Sequence, residues 1–170
     1  VLGQKNDKNN VSLKENIGVV LTASDVYDNY TVKQVENIMK DVYKQWSHEV
    51  YDYYMNKFSL PLNKMIRDFS RGMKMKMAIT IALSHQPKLL ILDEATSGLD
   101  PIMRDEILDV FLEFVQDENH AILLSSHISS DLEKIADYIT FIHEGKLILS
   151  TSKDELIYEY GLMKCRNDEL

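Results

Sequence analysis

Residues 88–101 combine a continuous apolar run with two acids and a turn, and they constrain the fold more than any other segment. Leu89–Leu92 are four consecutive apolar residues, a pattern typical of a strand covered on both faces of a parallel sheet. Asp93 and Glu94 follow directly. They would lie at the carboxyl end of the strand, where open α/β sheets bind ligands. Because successive side chains of a strand point to opposite faces, the two acids can have different roles.

The composition is that of an ordinary globular chain with an acidic surface. Its 170 residues suffice for one domain with a sizeable core. The net charge of −8 disfavours a nucleic-acid partner. No apolar run approaches the ~20 residues that span a bilayer, and no signal peptide opens the chain. One cysteine, Cys165, excludes an internal disulfide and is typical of a reducing compartment. If the protein works at a membrane, we expect a separate polypeptide to cross it.

Apolar periodicity alternates between strand and helix along the chain, which is typical of an α/β fold with a parallel sheet. Besides the strand at residue 89, apolar runs predict buried strands at 17–21 and 121–124. Helical spacing covers 32–58, the segment after Ser70, and 102–117. The other predictions are a polar loop at 4–16, helix caps at Thr31 and at Ser129 or Ser130, strands at 138–142 and 146–149 joined at Glu144-Gly145, and a helix at 153–160.

Four motifs stand in the order seen in one known family. Leu89–Glu94 resembles a Walker B strand, and Ser97–Asp100 resembles the D-loop of an ATP-binding cassette (ABC) ATPase. Phe69–Met73 occupies the place of the ABC signature loop, and Ser125–Ile128 follows the next apolar strand as the switch-histidine loop does. An isolated Asp-Glu pair is a weak signal, but four ordered motifs are a strong one. The chain therefore resembles ABC ATPases over nearly its whole length.

This resemblance implies an α/β fold, with a partial P-loop NTPase (RecA-like) core, a mostly parallel sheet and an inserted α-helical subdomain. Residues 1–31 and 84–170 would form the partial ATPase core. Residues 32–83 would form the helical subdomain that carries the signature loop. The resemblance also implies ATP and Mg²⁺ as cofactors.

The phosphate-binding loop of the family is missing from the sequence. Such a loop needs glycines followed by Lys and Ser or Thr at the start of a helix. Of the six glycines only Gly145 precedes a lysine, and Leu147 comes next. The chain thus has no Walker A motif, and we interpret it as a C-terminal fragment of an ABC ATPase. We expect the fragment alone to be inactive and to leave part of its sheet exposed.

The resemblance assigns roles to individual residues. Asp93 would support Mg²⁺ through water, and Glu94 would polarise the water that attacks ATP. His127 would contact the γ-phosphate and hold Glu94 in place. Thr22 stands where the family usually has its Q-loop glutamine, and its hydroxyl would reach magnesium-bound water. The nucleotide-binding residues would be those of the signature loop and D-loop: Ser70, Arg71, Gly72, Met73, Ser97, Gly98 and Asp100.

The signature loop departs from the commonest family form, Leu-Ser-Gly-Gly-Gln, at Phe69, Arg71 and Met73. The pattern Phe-Ser-x-Gly-Met resembles the form found in bacterial ABC-2-type exporters. Ser70 and Asp100 also have a purely structural interpretation, because both residues are suited to cap the helices that follow them. The methionines after Ser70 are interpreted as core residues, with Thr80 and Ser84 facing elsewhere. The histidines other than His127 are interpreted as surface or packing residues.

The favoured function is the ATP-hydrolysing subunit of a bacterial ABC exporter. Two such subunits would form a head-to-tail dimer on a separate transmembrane permease, in the cytoplasm at the inner face of the membrane, with no nucleic-acid partner. One alternative is an ABC ATPase of translation or DNA repair, although only 47 residues (23–69) separate Thr22 from Ser70, too few for the long coiled coil of repair proteins. Another is a catalytically degenerate regulatory ABC protein, which the substitution at Thr22 favours and the presence of Glu94 and His127 disfavours.

Overall fold

The computed structural model describes residues 1–5, 7, 9–21, 27–159 and 161. They form two compact units, residues 1–127 and 128–170, which are described separately. Thr22 and Cys165 lie outside the described residues. The elements of the first unit are α1 (Val11–Glu15), β1 (Ile17–Val20), α2 (Val32–Val42), α3 (His48–Lys57), α4 (Arg71–Ser84), β2 (Leu89–Asp93), α5 (Pro101–Phe114) and β3 (Ala121–Ser125).

The first unit is built on a parallel sheet with the strand order β1-β2-β3. Val19 pairs with Ile91, and Ile91 pairs with Leu123, so the three strands are aligned along their whole length. The last pair of the β2–β3 register joins Asp93 to Ser125. The strands predicted at these three places are therefore confirmed, and their carboxyl ends lie at one edge of the sheet.

One face of this sheet is covered by the first unit's core. Val20, Leu90 and Leu92 point into this core and are almost fully buried. Helix α4 approaches β1 closely at Gly18, where an added Cβ would lie 3.0 Å from the backbone oxygen of Ala82. The helices supply the rest of the core, with the buried side chains Met75, Met77, Ile79, Ile81, Ile107, Leu108, Val110 and Phe111. The interpretation of the α4 methionines as core residues holds for Met75 and Met77.

The opposite face of the sheet is open. Val19 is 51% exposed and Leu123 is 63% exposed, and the register places half-buried Ile91 between them. Parallel sheets are usually covered on both faces. The described residues thus carry a continuous apolar strip across three strands without a covering layer, as the sequence led us to expect.

Three details differ from the expectations. The helical pattern over 32–58 divides into α2 and α3, because Tyr43 is extended and Ser47 starts a new helix by accepting a hydrogen bond from Val50 N–H. Residues 11–15 form the short helix α1 within the expected loop. Thr80 and Ser84 are buried, and each hydroxyl donates to the backbone oxygen four residues earlier. The predicted cap at Thr31 is confirmed and forms a full capping box with Gln34.

The second unit contains a hairpin between two helices. Its elements are α6 (Ser129–Ile135), β4 (Tyr138–His143), β5 (Lys146–Ser152) and α7 (Lys153–Glu159). Strands β4 and β5 are antiparallel and join at Glu144-Gly145, both with positive φ as a tight hairpin turn requires. Helix α6 is preceded by Ile128, so the cap predicted at Ser129 or Ser130 is wrong. Among the described helices, none has the length and apolar character needed to span a bilayer.

Candidate functional site

The backbone changes direction sharply at Glu94, directly after the end of β2. Its φ is +51°, in the left-handed region that residues other than glycine seldom adopt. The Glu94 N–H donates to the backbone oxygen and to Oγ of Ser125, both at 3.2 Å. Strained backbone of this kind persists only where surrounding contacts hold it, and it is often found at functional sites.

Asp93 lies beside Ser125 because the two end paired strands. The Ser125 hydroxyl donates to Asp93 Oδ1 at 2.6 Å. Hydrogen bonds of this length to a carboxylate are among the strong ones in proteins. The edge of the sheet therefore presents two acids whose positions both depend on Ser125.

His127 joins the same cluster from the loop after β3. Its Nδ1 lies 2.6 Å from Glu94 Oε2. A carboxylate has only acceptor atoms, so Nδ1 carries the proton and donates. The imidazole is 67% exposed and the Glu94 side chain 31% exposed, which leaves both accessible to a ligand. The structure thus brings together Asp93, Glu94 and His127, three residues selected from the sequence.

The segment after Glu94 returns to the start of α5 through a turn. Ser97 N–H donates to the Glu94 backbone oxygen at 3.0 Å. Asp100 ends the segment as the α5 cap, and its Oδ1 accepts from the N–H groups of Ile102 and Met103. The predicted capping role of Asp100 is confirmed. The acids and this loop are therefore one continuous piece of backbone.

The residues of the signature loop lie beside that loop in the same chain. Ser70 caps α4, and its Oγ accepts from Met73 N–H at 3.2 Å. Gly98 has a φ of +69°, and a Cβ added there would lie 2.6 Å from the Arg71 guanidinium. The Arg71 side chain therefore lies against the Gly98 backbone. A Cβ added at Gly72 would overlap the side chain of Met103 of α5. The structure thus places Arg71 next to Gly98 and Gly72 next to Met103.

The donor groups at the strand ends suit a magnesium ion bound together with a nucleotide. No group of three or more metal-binding side chains occurs among residues 1–5, 7, 9–21, 27–159 and 161. Mg²⁺ usually takes only one or two protein carboxylates and completes its shell with phosphate oxygens and water. The Asp93 carboxylate fits that requirement. Thr22, the other residue proposed from the sequence for magnesium, falls outside the described residues.

Comparison with known proteins identifies the family. The profile of the family described as ABC transporter matches residues 2–97, more than half of the chain. The chain belongs to the ABC transporter family. Proteins of the ABC ATPase family bind ATP with Mg²⁺ and hydrolyse it.

Individual ABC proteins show the same relationship. The chain is 33% identical over 158 residues to the bacitracin transport ATP-binding protein BcrA of Bacillus licheniformis, covering 92% of this chain and 52% of that protein. It is 48% identical over 89 residues to the lantibiotic transport ATP-binding protein SrtF of Streptococcus pyogenes, covering 52% of this chain and 38% of that protein. The chain spans about half the length of the curated relatives that match most of it.

The ABC fold is supported by a solved structure, an ATP-binding subunit of an ABC transporter. It superimposes with a TM-score of 0.77 at 25% sequence identity, and the match covers 95% of this chain and 69% of the other. The α/β fold with a parallel sheet, expected from the sequence, is confirmed.

Two features of the structure were not assigned from the ABC motifs. Ser125 belongs to the switch-histidine loop Ser125–Ile128, but the resemblance assigns no role to its hydroxyl. The role of the hydroxyl follows from the pairing of Ser125 with Asp93 at the ends of β3 and β2. This pairing can be recognised only once the strand register is known. The second feature is the ion pair between Lys74 Nζ and the Asp28 carboxylate, at 2.6 and 2.9 Å. It joins α4 to a residue 46 positions earlier in sequence.

Proposed function

We propose that this chain is the catalytic part of the ATP-binding subunit of a bacterial ABC transporter of the exporter type. The observation that carries the proposal is the hydrogen bond between Glu94 and His127 beside Asp93, at the ends of adjacent parallel strands. The exporter class is supported by the names of two relatives, which are transport proteins for bacitracin and for a lantibiotic, and by the Phe-Ser-x-Gly-Met form of the signature loop.

The acids and the histidine have separate tasks in this proposal. Asp93 would support the magnesium ion through water, and the bound ion would neutralise charge on the ATP phosphates. Glu94 would orient the attacking water and accept its proton. His127 would keep the Glu94 carboxylate in one rotamer through its Nδ1–H donation, and its exposed ring edge would face the γ-phosphate. Thr22 would contact magnesium-bound water from the Q-loop position.

Residues 32–83 would form the signature subdomain, between core segments 1–31 and 84–170. Ser70, Arg71, Gly72 and Met73 would contact the nucleotide held by a second subunit, because a helix start with free amides favours phosphate. The D-loop residues Ser97, Gly98 and Asp100 would lie at the same head-to-tail interface. A separate transmembrane permease would hold the dimer at the inner face of the membrane. No part of the proposal requires nucleic acid.

The phosphate-binding loop would come from polypeptide outside these 170 residues. Three observations support this: the sequence has no Walker A motif, the chain spans about half of its relatives, and the sheet face at Val19, Ile91 and Leu123 is open and apolar. The 170 residues alone would then neither hydrolyse ATP nor bind it tightly. Calorimetric titration with Mg-ATP should give no measurable heat of binding at micromolar concentrations, and a micromolar Kd would contradict this part of the proposal.

The catalytic assignment is tested by Glu94→Gln in the ATPase subunit that contains this chain and its phosphate-binding loop. We expect turnover to fall by about 10²–10⁴-fold, the usual contribution of a general base, while ATP affinity stays unchanged. Glu113→Gln is the matched control, because Glu113 is an exposed acid of α5 paired with Lys57. If Glu94→Gln keeps wild-type turnover, Glu94 is not the general base. If the wild type binds ATP without hydrolysing it, the regulatory alternative replaces this function.

A further inference from the structure

The Ser125 hydroxyl is bonded to both acids of the site at once. It donates to Asp93 Oδ1 at 2.6 Å and accepts from the Glu94 N–H at 3.2 Å. A serine hydroxyl has one hydrogen and two lone pairs, so the hydrogen is committed to Asp93 and one lone pair to Glu94. A single side-chain atom therefore links the two neighbouring residues Asp93 and Glu94.

The two bonds act on different parts of the site. The bond to Asp93 fixes the rotation of its carboxylate, since a short bond to an ionised acceptor is strong and directional. The bond to Glu94 supports a backbone held at a φ of +51°, together with the Ser125 backbone oxygen that accepts from the same N–H. Loss of the hydroxyl would remove this bond to the Asp93 carboxylate but leave the Ser125 backbone oxygen as a partner of the Glu94 N–H.

We propose that Ser125 is a positioning residue, which sets the carboxylate of Asp93 for a magnesium ion and steadies the turn that presents Glu94. This inference rests on the proposed function, because it needs a metal–nucleotide complex at Asp93. Ser125 does not touch the reacting atoms. It acts through Asp93, as the outer hydrogen-bond partners of metal-binding carboxylates do.

The test measures metal binding separately from turnover. The parent protein is the Glu94→Gln subunit, in which turnover is low and the bonds between Ser125 and the backbone at position 94 remain. Mn²⁺ replaces Mg²⁺, and electron paramagnetic resonance measures its binding in the presence of ATP. We expect Ser125→Ala to weaken Mn²⁺ binding roughly tenfold, at the lower end of the effect of removing such partners. Ser125→Thr, which keeps a hydroxyl on a residue suited to strands, should restore the affinity.

Two controls identify the cause. Metal-free ATP affinity, measured with EDTA, should be the same in Ser125→Ala and in its parent, as a positioning role toward the metal requires. Ser129→Ala removes an exposed serine four residues further along the chain and should leave Mn²⁺ affinity unchanged. Equal Mn²⁺ affinity in Ser125→Ala and its parent would overturn the inference.

The remaining outcomes are also decisive. A fall in metal-free ATP affinity and in Tm for both Ser125→Ala and Ser125→Thr would overturn the inference in favour of a general packing role. A parent subunit that binds ATP but gains no affinity from Mn²⁺ would overturn the proposed function itself, and the Ser125 inference with it. Mn²⁺ binding that is weakened in Ser125→Ala but not in Ser125→Thr supports the Ser125 inference and the proposed function.

Discussion

His127 Nδ1 and Glu94 Oε2 lie 2.6 Å apart although 33 positions separate the two residues in sequence. The contact exists because β2 and β3 are parallel neighbours that end at the same edge of the sheet. Since both side chains are partly exposed, the bond is not a requirement of core packing. It holds a carboxylate in one orientation at a place that is open to solvent.

We expect His127→Ala to reduce turnover roughly 100-fold, because a misplacement of about 1 Å in a catalytic group can cost that much. If His127 acts only through Glu94, the double variant His127→Ala/Glu94→Gln should lose little beyond Glu94→Gln alone, as residues acting as one unit are not additive.

Steady-state ATP hydrolysis of the four proteins measures this coupling. His143→Ala provides the control, since His143 is an exposed histidine of β4 outside the site. Fully additive losses in the double variant would show that the histidine acts independently of Glu94.

The ion pair between Lys74 and Asp28 should couple α4 to the segment that follows residues 22–26. Its side chains are only 15% and 24% exposed, so water and salt screen the pair less than a surface pair. We expect a double-mutant cycle of Lys74→Met and Asp28→Asn to give a coupling of about 1 kcal/mol, at the upper end for ion pairs. Urea unfolding of the four proteins gives the free energies of unfolding.

The pair Lys40–Glu36 on α2 is the control for that cycle. It is an i,i+4 pair in which Lys40 is 41% exposed and Glu36 12% exposed, and about 0.3–0.5 kcal/mol is usual for such helix pairs. Raising the salt concentration should reduce the coupling of the α2 pair more than that of Lys74 with Asp28. Equal couplings and equal salt dependence would mean that the partial burial of Lys74 has no energetic effect.

The open face of the sheet should make the 170-residue chain associate with itself. Val19 and Leu123 belong to one apolar strip, and such exposed patches favour association. We expect Val19→Gln/Leu123→Gln to lower the association constant at least about tenfold, because each such side chain contributes about 1.5–3 kcal/mol when buried. Sedimentation velocity over a range of concentrations measures the change.

Ile102→Gln separates this effect from general hydrophobicity. Ile102 is 82% exposed but lies on α5, away from the strip, so its substitution should leave association unchanged. An equal effect from Ile102→Gln, or no effect from the double variant, would mean that the sheet face is not the associating surface.

The sheet was predictable because its signal is local. Leu89–Leu92 form a continuous apolar run that is typical of a strand in a parallel sheet, and the acids after it mark the ligand edge. The caps were predictable for the same reason, since Ser70 and Asp100 bond to amides within three residues. The order of the motifs identified the family before any contact was known.

The features that sequence reasoning missed depend on tertiary contacts. The division of 32–58 coincides with Ser47 N–H donating to the Ser84 backbone oxygen at 2.7 Å, a bond that no periodicity reveals. The Thr80 hydroxyl donates to the Lys76 backbone oxygen of its own helix, so the side chain can be buried. A prediction from its polarity alone therefore placed Thr80 wrongly outside the core. The role of Ser125 required the register between β2 and β3.

His85 is a buried histidine that the proposed mechanism does not use. Its ring stacks on Tyr43 with centroids 4.1 Å apart, and Nδ1 lies 3.1 Å from the Glu15 backbone oxygen, to which it donates. Burial lowers the pKa of His85 from its usual 6.5, and the hydrogen bond and negative charge of Glu15 offset this only in part. The packing role expected for this residue therefore has a consequence for stability.

The direction of that consequence follows from proton binding. Above pH 6.5 His85 is neutral in the folded and the unfolded chain, and its contribution to stability is fully present. As the pH falls below 6.5, the unfolded chain binds a proton before the folded chain does. The free energy of unfolding therefore decreases, by at most about 1.4 kcal/mol per pH unit, until the folded pKa is reached.

Urea unfolding at pH 7.5 and 5.5 should show a smaller decrease in the free energy of unfolding for His85→Phe than for wild type. Tyr43→Phe, which keeps the stacked ring, should retain the wild-type decrease. An identical pH dependence in His85→Phe and wild type would show that His85 does not couple protonation to folding.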